Sequence, residues 1–392
     1  MSITGTKLKQ LSTNSKYLID IIGFCCCSTH SFLSRLKQFT ILVEPVIDNA
    51  TYQVPLHFVH HRSPRKDAIP LMFNHGWPGS FLEVTKIIGN LTNPPDASLP
   101  AFHVVTASIP GYGFSPAPRQ RGFGTIKTAH AFNELMHQLG YDKYVMQGGD
   151  VGAFIMRHQA ALFPNNVVSV HSNFWIMGPE PNDLRRLAEG LATPDEVAYI
   201  NILESYEHQG TGYRLMQQTQ PLTLAYGLVD SPMANLMWIY ALLQAYIDHT
   251  ITKWRPDDII TWTMMYWIQG MYSSNRWWKE MINDGDFVAL EFGTIPPVKV
   301  PVAIIQFPYD LGFRMPLEWA RREGNNVLRR TLRDRGGHFA SHETPGALVA
   351  DMQEWFGNKK LLGTKVFGHW SRKRNSSQDS MSGLGLLRSG QG

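Results

Sequence analysis

From about residue 46 the chain repeats one pattern, a short apolar run rich in branched side chains followed by a stretch of helical composition. The runs are Leu56 to His61, Leu71 to Asn74, His103 to Ala107, Tyr144 to Gln147 and Val167 to Val170, with Val302 to Phe307 and Val327 to Leu332 much later. Apolar runs that do not alternate with polar residues suit strands buried on both faces, the condition inside a parallel sheet. Helical stretches from Thr125 to Leu139, Ala153 to Phe163 and Pro345 to Phe356 lie between or after them. A parallel strand can only be reached by a crossover, so this alternation predicts an α/β fold, a mostly parallel sheet flanked by helices. The pattern breaks between about Trp175 and Pro296, where aromatic, helix-like sequence replaces strand-like runs. The expected organisation is therefore an N-terminal region over 1–45 without strand pattern, a first core part over 46–175, a helical cap over 176–295, a second core part over 296–362, and a Ser-, Gly- and Arg-rich tail over 363–392 read as disordered.

Composition excludes several classes. Thirty-six Lys and Arg against 32 Asp and Glu leave a net charge of +4 with no basic stripe, which argues against a nucleic-acid partner. The three cysteines are adjacent, Cys25, Cys26 and Cys27, so neither a disulfide framework nor a cysteine zinc site can be built within the chain. The apolar run from Tyr17 to Cys27 is short for a membrane span and contains Asp20. A cytoplasmic protein is the default expectation, with membrane association left open. The 15 histidines include no H-E-x-x-H pattern, and the neighbours His60 and His61 on one strand face opposite ways, so no metal site is expected. Eleven Trp and 20 Phe fit either a packed core or an aromatic-lined cavity.

The chemistry concentrates at the ends of the strand-like runs. Gly148-Gly149-Asp150-Val151-Gly152 follows one such run and precedes a helix, the strand–turn–helix context of a nucleophile elbow. Glycines two before and two after the central residue permit the sharp turn, and the central side chain is a carboxylate rather than a hydroxyl. His75-Gly76-Trp77-Pro78-Gly79 follows the run ending at Asn74, and Trp77-Pro78 is a candidate cis peptide. In this architecture the Trp77 and Val151 N–H groups would form an oxyanion hole. Asp310 follows the run ending at Phe307, and His338 sits on a glycine loop after the last run. The chain order is then nucleophile, acid, base: Asp150, Asp310, His338. Taken singly, each Asp or His is more often structural than catalytic. Their shared position after successive strands is what singles them out.

Together with Gly111-Tyr112-Gly113-Phe114-Ser115, these segments resemble the microsomal-type epoxide hydrolase family over roughly residues 38 to 358, within the α/β-hydrolase fold. The resemblance implies Asp150 as nucleophile, Asp310 as acid, His338 as base, and Tyr213 as the first of two cap tyrosines on the epoxide oxygen. It places the second tyrosine at Trp278, where this chain departs from the family. Trp278 and Tyr272 are then expected to bind substrate, and Tyr272 or Tyr266 could take the vacant role. The family's N-terminal region is longer, and Cys25 to Cys27 does not resemble it. The implied reaction joins a small, lipophilic epoxide to water, without metal or organic cofactor, to give a vicinal diol in detoxification or secondary metabolism. An epoxide has no carbonyl, so the nucleophile must displace at carbon, and a carboxylate can do so when the leaving oxygen is protonated. The site also admits a haloalkane or haloacid dehalogenase, against which stands Val151 where those enzymes usually carry Trp. A catalytically impaired binding protein is the other alternative. A homodimer is left open.

Overall fold

The computed structural model describes residues 36–283, 297–358 and 360. The Cys25–Cys27 stretch, the apolar run before it and the Ser- and Arg-rich tail lie outside the described residues. Eight strands form the main sheet: β1 (Gln38–Val43), β2 (Val54–His61), β3 (Ile69–Asn74), β4 (Phe102–Ala107), β5 (Tyr144–Gly148), β6 (Val167–Ser172), β7 (Val302–Gln306) and β8 (Val327–Leu332). Their spatial order is β1-β2-β4-β3-β5-β6-β7-β8. Strand β2 runs antiparallel to both β1 and β4, and every other neighbour pair is parallel. Strands β3, β4, β5 and β7 are buried at every residue, which is why they read as unbroken apolar runs.

Strand β1 was not legible as a strand. Phe39, Ile41 and Val43 alternate with Gln38, Thr40 and Leu42, but Leu42 is an exposed apolar residue on the polar face and blurs the period-two signal. Helices α1 (Thr125–Gln138) and α2 (Asp150–Leu162) pack on each other, and α2 also packs on β3, β5 and β6. Helix α2 starts at Asp150 itself, not near Ala153 as the sequence suggests.

Between β6 and β7 the described chain is helical: α3 (Pro181–Ala188), α4 (Pro194–Gln209), α5 (Gly212–Thr219), α6 (Pro221–Asp230), α7 (Pro232–Ala245), α8 (Pro256–Trp267) and α9 (Tyr272–Asn283). Five of these seven open on proline, whose fixed φ suits the first helical position and whose missing N–H costs nothing there. The prolines thus cut one long helical tract into short segments that can fold back: α9 packs on α5 and α6, and α7 on α6 and α8. The last labelled helix, α10 (Pro345–Phe356), packs on β6 and β7 and is pinned by a buried cluster in which the Asp351 carboxylate meets His171 at 2.9 Å and Arg329 at 2.5 Å. No helix among the described residues is long and apolar enough to cross a membrane.

The turn from β5 into α2 is fixed by one contact. A Cβ on Gly152 would lie 2.4 Å from the carbonyl oxygens of both Asn74 and His75, backbone atoms at the end of β3 that cannot swing aside. Only glycine lets α2 start this close to β3. We expect Gly152→Ala to cost about 1–3 kcal/mol of stability, the usual penalty of overpacking. Urea unfolding of the two proteins checks this, and an unchanged midpoint would show that the contact has slack.

Candidate active site

At the elbow Asp150 holds φ at 49°, in the left-handed region that a non-glycine residue occupies at a cost. The turn projects its carboxylate out of the sheet toward the loop after β3. There the Trp77 N–H donates to Asp150 Oδ1 at 2.8 Å. The Trp77–Pro78 bond is cis. Gly76 is needed beside it, because a Cβ there would fall 2.5 Å from the Asp150 Cβ. Val151 is buried in the first turn of α2, where a backbone N–H has no intrahelical acceptor; the first such bond is Ala153 N–H to Gly149 carbonyl, 3.0 Å. The 75–79 loop is tied down by Glu83, whose carboxylate accepts the Gly76 N–H at 3.0 Å. Burial pushes the Glu83 carboxyl up to about 7 against the opposing effect of that hydrogen bond.

His338 lies on the other side of Asp150. Its Nε2 is 3.5 Å from Asp150 Oδ2, and its Nδ1 is 2.7 Å from Asp310 Oδ1. Asp310, buried in the loop after β7, has Oδ1 fixed by the Leu311 N–H at 2.8 Å. Burial alone would lower the His338 pKa, but the carboxylates of Asp310 and Asp150 outweigh it and raise it well above the ordinary 6.5. The loop bearing His338 is held from the segment after α7. The His338 N–H donates to the Tyr246 carbonyl at 2.8 Å, and Asp248 accepts the Gly336 N–H at 3.0 Å. Glu343 accepts the N–H groups of Asp248 (2.8 Å) and Phe339 (2.9 Å), its carboxyl raised by burial to about 7.

These groups open on a cavity with about 870 Å³ of empty space, counted out to where it meets solvent. Phe154, Phe174, Ile176, Leu203, Leu242 and Leu311 give it apolar walls. Tyr213 enters from α5, its ring stacked on Trp77 (centroids 5.1 Å, planes 7° apart) and met edge-on by Trp278 at 6.1 Å. Trp278 also stands edge-on to Trp77 at 6.0 Å, so the three rings lock one another. The structure thus gathers Asp150, Asp310, His338, Trp77, Val151, Tyr213 and Trp278 into one place. It does not bring Tyr272 there: its side chain is 42% exposed on α9, outside the cavity lining. Tyr266 is also outside it, its hydroxyl donating to the Gly79 carbonyl at 2.5 Å. In their stead the cavity holds two phenols that the sequence reading missed, Tyr206 and Tyr246. The Tyr206 hydroxyl is 3.2 Å from that of Tyr213. Nothing local marks Tyr206, a tyrosine within a mixed-composition helix, whereas Glu83 had a visible signal in Ser80-x-x-Glu83, the pattern of a helix start.

Comparison with known proteins follows the same geometry. Residues 69–190 match a model of the alpha/beta hydrolase fold, and residues 3–84 match a model of the epoxide hydrolase N terminus. The second match carries the likeness toward the N-terminus well past residue 38, across the cysteine stretch that the sequence reading set apart. Epoxide hydrolase 1 of Oryctolagus cuniculus is 30% identical over 381 residues, spanning 88% of this chain and 80% of that protein. The crystal structure of juvenile hormone epoxide hydrolase from the silkworm Bombyx mori superposes with a TM-score of 0.73 at 25% identity, covering 89% of this chain and 82% of that one. The structure of Aspergillus niger epoxide hydrolase gives 0.68 at 27% identity, covering 85% and 81%. With the identity, the coverage and the N-terminal model in agreement, the chain belongs to the epoxide hydrolase family of the α/β-hydrolase fold.

Proposed function

We propose that this protein adds water to a small, lipophilic epoxide through an ester on Asp150. The observation that carries this reading is the Asp150 carboxylate itself, held between the Trp77 N–H and His338 at the floor of an apolar cavity that two hydrogen-bonded phenols also line. Oδ1 is occupied by the Trp77 N–H, so Oδ2 is the oxygen free to attack a ring carbon. As that bond forms, the ring C–O bond breaks, and the released oxygen takes a proton from the Tyr213 hydroxyl. Oδ1 becomes the ester carbonyl oxygen while still on the Trp77 N–H. When water adds to that carbonyl, Trp77 and Val151 N–H groups stabilise the charge that develops on it.

The same charges time the base. In the free enzyme His338 is flanked by two carboxylates and favours its protonated form. Esterification neutralises Asp150 and removes one of the two, so the pKa of His338 falls when a neutral imidazole is required to take a proton from water. Asp310 remains to orient the ring. The apolar walls favour a lipophilic substrate and keep bulk water off the ester.

Two outcomes are expected. His338→Gln should stall after alkylation, so that intact-protein mass spectrometry with excess styrene oxide shows protein plus one substrate mass, while Asp150→Ala shows neither adduct nor diol. A folded His338→Gln protein that binds the epoxide without ever forming an adduct would argue for direct attack by water. Asp150→Asn, a neutral stand-in for the ester, should lower the titration midpoint of His338 read by NMR on its ring protons. The raised pKa adds stability that is fully present below 6.5 and is lost as pH rises through the raised value. The wild type should therefore exceed Asp150→Asn in unfolding free energy by more at low pH than at high pH. An unmoved midpoint would mean that Asp150 does not tune the base.

A further inference from the structure

One polar contact in the cavity has no part in the reaction as drawn so far, the pairing of two tyrosine hydroxyls. Tyr206 on α4 and Tyr213 on α5 both line the cavity, and their oxygens stand 3.2 Å apart in a hydrogen bond whose geometry lets either one donate. Tyr213 is immobilised by its stacking on Trp77 and the edge of Trp278. Trp278 cannot serve as a second proton donor. Its indole N–H does not ionise near neutral pH, is buried without a hydrogen-bond partner, and acts on the Tyr112 hydroxyl, which is not part of the cavity lining. Tyr206 is also next to a cation: the Arg214 guanidinium carbon is 5.7 Å from its ring centroid, and Arg214 itself pairs with Glu207 at 3.2 Å.

We propose that Tyr206 is the second phenol of this site, supplying through Tyr213 the proton taken by the opening epoxide oxygen, with the phenolate left afterwards resting on Tyr206 beside Arg214. This rests on the reading of Asp150 as the group that is alkylated. The step balances as follows. Asp150 Oδ2 bonds to the ring carbon as the ring C–O bond breaks, the Tyr213 proton passes to the released oxygen, and the Tyr206 proton passes to Tyr213. In ester hydrolysis His338 takes a proton from water and returns it to the departing diol oxygen. The carboxylic acid proton formed on Asp150 goes back to the Tyr206 phenolate, restoring the starting state. Which ring holds the charge follows from the surroundings. Burial raises the pKa of both phenols, but Arg214 and the bond from Tyr213 work against it at Tyr206, whereas the bond between the two adds to the rise at Tyr213. Tyr206 acts through Tyr213, so it is a positioning residue that also carries the proton.

The test is a double-mutant cycle on the alkylation step, followed by stopped-flow tryptophan fluorescence with styrene oxide in single turnover, on variants whose fold is verified by circular dichroism. Tyr206→Phe keeps the ring and removes only the hydroxyl. It should lower the alkylation rate constant about 100-fold, the loss typical of one donor to a developing oxyanion, while the half-saturating epoxide concentration stays within about threefold. Tyr213→Phe should lose at least as much. The double variant should fall no more than about threefold below Tyr213→Phe alone, because the two hydroxyls act as one chain. A Tyr206→Phe enzyme within about threefold of wild type overturns the relay, as do losses that simply multiply, or a loss confined to substrate affinity, which is what mere loosening of the cavity would give. If neither the wild type nor His338→Gln forms any adduct, the ester on Asp150 falls and the relay with it. If both form it and Tyr206→Phe is as fast, only the relay falls.

Discussion

Everything in the site depends on how closely helix α2 approaches the end of strand β3. Gly152 sits under the carbonyls of Asn74 and His75 with no room for a side chain, and that contact sets where the first turn of α2 begins. Asp150 must then turn through the left-handed region to connect β5 to the helix, and its carboxylate emerges beside the backbone of the next loop. The Trp77 N–H meets it there. Two segments 73 residues apart in sequence become one site through packing rather than through any affinity of the groups for each other. The strained backbone at Asp150 is offset by the burial of the strands on either side.

The charges around Asp150 are arranged with similar economy. Four carboxyl groups crowd the region, and full ionisation of all of them would make the nucleophile repel its own surroundings. Burial holds Glu83 and Glu343 near 7, so near neutral pH they accept backbone N–H groups and shape their loops without each contributing a full negative charge. Asp310 and Asp150 share the positive charge of His338 between them.

How much of this was legible in the sequence divides along a physical line. The buried strands, the elbow, the glycine loop of His338 and the helical insertion could be read because each is local: a run of apolar residues, a turn that demands glycine, a tract of helix formers. Trp278 was placed by resemblance and does stand in the cavity wall. Strand β1 failed because one exposed leucine masks its alternation. Tyr206, Tyr246 and Asp248 failed for a different reason. Their importance comes from what they touch across helices distant in sequence, and no spacing rule connects residue 206 to an elbow at 150. Tyr272 shows the converse error, since a tyrosine near the expected position on α9 simply faces outward.

The segment Tyr246 to Asp248, at the end of α7, grips the loop of His338 through its backbone carbonyl and its carboxylate, and Glu343 grips it in return. A helical layer that lifted away as a rigid lid would drag the imidazole off Asp150 with each opening. Traffic must therefore use a doorway that leaves this hinge shut. The pair Glu207 and Arg214 lines the cavity at its solvent side, with the Glu207 side chain 54% exposed, and it joins α4 to α5 by a single ion pair. An exposed pair of this kind is worth little and parts readily. The insertion is fastened where it carries the base and latched lightly where a substrate has to pass.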